Sequence, residues 1–195
     1  MAQARRARWT EAEGVGGISP ERLVFLDECG VLTTLSRPYG RSPRGTRACA
    51  SAPFGHWTRV TVLGALGAGG IVGAMSVEAA ADAAVFHAYL GEVLLPELRR
   101  TKPDAVLIMD NLPAHKAQRI RALLDASGFA YRYLPPYSPD LNPIEPGWAK
   151  MKAELRRLAA RTADALHEAC GPALAAITAQ DAAGFFRHCG YRCPS

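Results

Sequence analysis

In the first third of the chain the hydrophobic pattern has a period of two. From Arg22 to Glu28, Leu23, Phe25 and Asp27 fall on one face and Val24, Leu26 and Glu28 on the other, which predicts a strand. From Val60 to Val77 the chain runs 18 residues without a charge, long enough by count for a membrane span. Its glycines, Gly64, Gly67, Gly69, Gly70 and Gly73, gather in the middle, and its flanks are β-branched at Val60, Thr61, Val62, Ile71 and Val72. That composition predicts two strands joined by a glycine-rich turn, with no membrane contact. The turn is no phosphate loop, because the Lys-Ser/Thr pair that reaches phosphate and magnesium does not follow it. Three strands, expected to be antiparallel, thus open the fold.

The period then lengthens. Val85, Phe86, Tyr89, Leu90, Val93 and Leu94 mark one face of a helix between Asp82 and Arg100, which Pro96 should bend or shorten near its end. Ala105 to Met109 is an unbroken apolar run ending in Asp110, as expected of a strand covered on both faces in a parallel pair. Pro113 is placed to open the next helix at its first position, with Ala117, Ile120, Leu123 and Leu124 facing inward and Gly128 just past the end. Phe129 to Leu134 reads as a fifth strand. Pro135, Pro136, Pro139, Pro143 and Pro146 then impose a stiff loop. A helix resumes at about Glu145 with Trp148, Met151, Leu155 and Leu158 on one face, and further helical patterns cover Ala163 to Ile177 and Asp181 to Cys189. Residues 1–20 are polar and glycine-rich without periodicity, and are expected to be a flexible tail or linker ahead of one domain over 21–195. The expected fold is α/β, a mixed five-stranded sheet flanked by helices.

Composition refines this. With 195 residues, 49% of them hydrophobic, the chain can bury one substantial core. The net charge of +5 is uneven: Arg37, Arg41, Arg44 and Arg47 fall within 11 residues, which suits either a polyanionic partner or a merely solvated loop. Five cysteines without a C-x-x-C pair argue for reduced thiols in a cytoplasmic protein. Cys189 and Cys193 could share a helix face, but only His188 lies near them, too few ligands for zinc. The start of the chain is arginine-rich and lacks the apolar segment of a secretory signal.

The element order places Asp27 on the first strand, Asp110 at the end of the fourth and Glu145 at the start of the helix after the fifth. If the first and fourth strands are neighbours, both aspartates emerge together, and the proline-rich loop can return Glu145 beside them. Hard divalent cations prefer such oxygen donors, and phosphodiester chemistry uses two ions about 3.5 to 4 Å apart. Crowded acids repel and raise one another's pKa unless a cation opposes them. Each acid also has a plainer use: Asp27 and Glu28 could end a strand, Asp110 with Asn111 could make a turn and cap, and Asn142 to Glu145 has the form of a capping box. Pro146 weakens that last use, since it has no amide to bond back to Asn142.

Three segments carry a resemblance: Phe25-Leu26-Asp27-Glu28; Met109-Asp110-Asn111-Leu112-Pro113-Ala114-His115-Lys116; and the run from Leu134 through Tyr137-Ser138-Pro139-Asp140-Leu141-Asn142-Pro143 to Glu145. They are similar to the signature blocks of bacterial insertion-sequence transposases of the mariner-like, DDE-endonuclease group, and 34 residues separate Asp110 from Glu145, the spacing of that group. The similarity extends from Glu21 to about Tyr191, including Tyr39 to Gly45 and Gly55-His56-Trp57.

The resemblance implies an RNase H-like fold and a DDE catalytic domain over 21–195, with Asp27, Asp110 and Glu145 as catalytic ligands of two Mg2+ or Mn2+ ions. It implies double-stranded DNA as substrate, cut between terminal inverted repeats and joined at a TA target. It also implies oligomerisation on DNA and a place with the nucleoid in the cytoplasm. His115 and Lys116 would contact DNA or steady Asp110, Asn111 and Asn142 would support the site, and Arg37, Arg41, Arg44 and Arg47 would meet phosphates. Members usually carry a helix-turn-helix region ahead of this domain, whereas 26 residues precede Asp27. An upstream helix-turn-helix frame product, or a truncated and inactive DNA-binding fragment, is therefore also expected. An RNase H-like host nuclease is a third reading.

Overall fold

The computed structural model describes residues 7–10, 14–49 and 57–191. Five strands form one sheet: β1 (Leu23–Leu32), β2 (Arg59–Gly67), β3 (Gly70–Val77), β4 (Val106–Met109) and β5 (Ala130–Tyr133). Their order across the sheet is β3-β2-β1-β4-β5. The first three pair antiparallel, while β4 and β5 run parallel to β1, so the sheet is mixed. The uncharged run from Val60 to Val77 is the β2–β3 hairpin, turning at Gly70 with φ +124°, a backbone that residues with a Cβ rarely adopt. No helix among the described residues is long and apolar enough to cross a membrane.

Strand β1 outruns the sequence expectation by four residues. Gly30 broke the alternation in the sequence, yet in the sheet it is the place where the Arg59 guanidinium lies across the strand; a Cβ there would meet it at 2.5 Å. The two faces of β1 feed two cores. Leu23, Phe25, Cys29 and Val31 pack with the three C-terminal helices, α4 (Ile144–Leu158), α5 (Ala163–Ala175) and α6 (Ala179–His188). Val24 and Leu26 pack on the opposite side with α1 (Ala83–Ala88), α2 (Leu95–Thr101) and α3 (Gln118–Ser127).

Three local expectations change. The helix expected between Asp82 and Arg100 is capped by Asp82 but is not uniform: a π-helical stretch, Tyr89–Leu94, separates α1 from α2. Pro96 lies in the first turn of α2, not at a bent end; the wider turn before it removes the demand for a regular i−4 bond from a residue without an amide. Pro113 does not open α3. It precedes a 3-10 turn, Ala114–Lys116, and α3 begins only at Gln118, ending as expected at left-handed Gly128.

In the described part of 1–20, Trp9 (6% exposed) and Val15 (4%) are built into the core, and Trp9 Nε1 donates to the Tyr191 hydroxyl at 2.8 Å. A single tryptophan sets up no periodicity, so its anchoring role leaves no repeating signal in the sequence. Cys29, Cys170 and Cys189 are buried thiols and Cys49 an exposed one, none of them in a disulfide among the described residues; Cys193, like Gly55 and His56, lies outside the described residues.

Candidate active site

The β1–β4 pairing aligns Leu26 with Met109, so the next residues along these parallel strands, Asp27 and Asp110, stand side by side. The backbone ladder between β4 and the fifth strand continues as Leu134 donates to the Met109 carbonyl at 2.8 Å. Beyond it the proline-rich loop makes a 3-10 turn, Pro139–Leu141, and delivers Glu145 in the first turn of α4. Pro146 fits there because amides of a helix's first turn have no intrahelical acceptor. Asp27, Asp110 and Glu145 all line one cleft of about 470 Å3, with Asn111 and Asn142.

Asp27 is the most constrained of the three, at 8% exposure. Its Oδ1 accepts from the Glu28 amide at 2.8 Å, and its Oδ2 accepts from Asn142 Nδ2 and from Trp148 Nε1, each at 3.3 Å. Burial, then the charges of Glu145 and Glu28, push its pKa up to about 7, against the opposing Glu28 amide; Asp110 adds to the rise. Glu145, at the open side, is raised as well, by partial burial first and by Asp110 and Glu28, with Lys152 opposing. Asp110 Oδ1 accepts from the Leu112 amide at 3.1 Å and lies 2.5 Å from His115 Nδ1. Among the described residues no three His, Cys, Asp or Glu side chains are gathered tightly enough to hold an ion as they stand.

His115 is shut away from solvent. It is 1% exposed, stacks on Phe86 with ring centroids 4.0 Å apart, and sits between two acids, Asp110 and Glu28, the latter 3.3 Å from Nε2. Neither contact has the alignment of a hydrogen bond at the ring nitrogen, so both are charge pairs. Burial, the largest influence, works against the imidazolium, but the two acids outweigh it and push the pKa up to about 9. Lys116 is half-buried, with its ammonium 5.3 Å from the centre of the Tyr133 ring. Arg37, Arg41, Arg44 and Arg47 are exposed on the irregular segment after β1 and do not line the cleft.

Two residues at the site had gone unassigned. Trp148 looked like core by its spacing, and its indole N–H to Asp27 comes from lying one turn after Glu145 on α4. Glu28 stood in a signature segment, but only the alternation of β1 reveals that it serves the opposite face from Asp27.

The fold and the acid-lined cleft define a class. A family model for DDE superfamily endonucleases matches residues 22–167, and the chain belongs to that family. Among solved structures it is similar to the Mos1 transposase paired-end complex with left transposon end, at 18% identity and a TM-score of 0.71, covering 95% of this chain and 56% of that one. It is also similar to the Mos1 strand transfer complex, at 17% identity, a TM-score of 0.66, and coverage of 95% and 55%. The isolated catalytic domain of Mos1 mariner transposase matches at 16% identity and a TM-score of 0.62, over 95% of this chain and 83% of that one. At such identities the likeness establishes the fold, which is RNase H-like. The chain spans about half the length of the transposase in the two complexes. No curated protein sequence matches it.

Proposed function

We propose that this chain is the catalytic part of a mariner-like transposase, cutting double-stranded DNA and joining the freed end to a target, with Asp27, Asp110 and Glu145 as the ligands of two divalent cations. The observation that carries the reading is the pairing register that sets Asp27 beside Asp110 on adjacent parallel strands, at the cleft to which the proline-rich loop returns Glu145.

The residues fit a hard cation. The donors are carboxylate oxygens, Asn111 and Asn142 each keep a buried amide oxygen without a hydrogen-bond partner among the described residues, and the acids raise one another's pKa. Bound Mg2+ or Mn2+ would supply activation of a water or 3′-hydroxyl and stabilisation of the leaving oxygen. Asn142 and Trp148 hold Asp27 in place through Oδ2. Glu145, at the open edge and on a side chain with three rotatable bonds, is the group that adjusts to complete the set.

Mos1 has been solved with its transposon end and in complexes with Mn and Mg. Element-end DNA and these ions are proposed as partners here too, and with them inverted repeats at the DNA ends, a TA target, a second copy of the chain on DNA, and a helix-turn-helix product supplied from an upstream frame, all at the nucleoid. Arg37, Arg41, Arg44 and Arg47 are exposed where forked guanidiniums can meet phosphates.

The test is nicking of supercoiled plasmid by the full chain in Mg2+ or Mn2+. Asp110→Asn is expected to lower the rate by at least about a hundredfold, the scale of losing a metal ligand or its close support. Equal nicking by the variant would end the assignment.

A further inference from the structure

Glu28 follows Asp27 directly, yet it does not line the cleft. The alternation of β1 turns it to the opposite face of the sheet, where its side chain is 20% exposed and meets His115. The imidazole there has little freedom. It is stacked on Phe86, almost fully buried, and its backbone carbonyl accepts from the Tyr133 hydroxyl at 3.1 Å. Its two ring nitrogens face acids from two different strands: Nε2 that of Glu28, Nδ1 that of Asp110. Among the described residues, the Asp110 carboxylate is thus gripped on one oxygen, Oδ1, by His115 and by the Leu112 amide.

We propose that Glu28 is a positioning residue for the active site: acting through His115, it fixes the Asp110 carboxylate so that Oδ2 is presented to the cleft. This rests on the reading of Asp110 as a metal ligand. Three groups in line, acid, imidazole and acid, carry the restraint from the helix-covered face of β1 to the chemical face. An imidazole wedged between two carboxylates and stacked on a ring is held from both ends, whereas one beside a single carboxylate can swing with it. Glu28 itself does not line the cleft.

The experiment measures Mn2+ binding to the full chain by calorimetry, for the wild type, Glu28→Gln, His115→Gln and the double variant, alongside plasmid nicking. Glu28→Gln should weaken Mn2+ binding about tenfold, as the loss of a group supporting a metal ligand does. It should lower kcat and leave KM for DNA within about twofold, because Glu28 makes no contact with substrate. The double variant should be no weaker than the poorer single variant, since both changes break one line. If Glu28→Gln unfolds at the assay temperature, the double variant, which removes the buried imidazole along with the acid, is measured in its place and must show the same tenfold loss.

Mn2+ affinity of Glu28→Gln within twofold of the wild type, or fully additive losses in the double variant, would overturn the positioning role while leaving the metal reading intact. A folded wild type that neither binds Mn2+ nor nicks DNA would remove both together.

Discussion

Lys150 on α4 places its ammonium 2.5 Å from Asp181 Oδ2, and the same carboxylate accepts from the Thr178 amide and hydroxyl at the start of α6. One side chain thus caps its own helix and ties it to the helix that carries Glu145. The Lys150 contact first, then the Thr178 hydroxyl and amide, hold the Asp181 pKa down at about 2, below its ordinary 3.8. Because the folded value is depressed, the stabilisation is fully present above pH 3.8 and is lost as the pH falls towards 2. Asp181→Asn is expected to melt below the wild type at pH 7 and level with it near pH 2. Thermal melts across that range decide the matter; a gap independent of pH would show that the charge is irrelevant. The same scale explains which site residues could be read. Asp27, Asp110 and Glu145 are individually ambiguous in the sequence and are brought together by the elements they sit on. The burial of Trp148 was legible from its spacing, but the contacts that His115 and Trp148 make with the acids depend on tertiary packing that no spacing encodes.

At the scale of elements, Gly64 on β2 stands opposite Asp27 on β1. A Cβ on Gly64 would fall 2.6 Å from the tip of the Trp148 indole, so the glycine is what lets that ring lie on the sheet and reach Asp27. Trp148 is 3% exposed and cannot easily move aside. Gly64→Ala should therefore cost about 1 to 3 kcal/mol of stability, the scale of overpacking a core, and should also slow DNA nicking by displacing the donor to Asp27. Equal melting temperature and equal rate would mean that the indole yields freely. The strands and most helices were legible from periodicity, because alternation in β1 and the 3.6-residue repeats in α3 to α6 follow directly from which faces are covered. The π-helical stretch and the delayed start of α3 were not. Both answer to how a proline is accommodated, and a proline's position alone does not say which neighbouring turn will widen.

At the scale of the whole fold, the described segment before β1 is fastened to Tyr191 and, through it, to the proline-rich loop. Trp9 donates to the Tyr191 hydroxyl, which donates in turn to the Leu141 carbonyl at 2.6 Å, just ahead of the helix bearing Glu145. Trp9→Ala is expected to destabilise the protein by about 3 kcal/mol, the lower end for emptying a buried tryptophan site. Chemical denaturation measures it; a change under about 0.5 kcal/mol, the range of surface substitutions, would show that the ring adds little to the fold.

The neighbouring acids of β1 carry a lesson about permissible change. Asp27 belongs to one side of the sheet and Glu28 to the other, so a deletion or insertion of a single codon upstream within this strand would exchange their sides. The strand can absorb many replacements of one apolar residue by another, but it tolerates no shift of frame along its partners. Its length, more than its composition, is what variation must preserve.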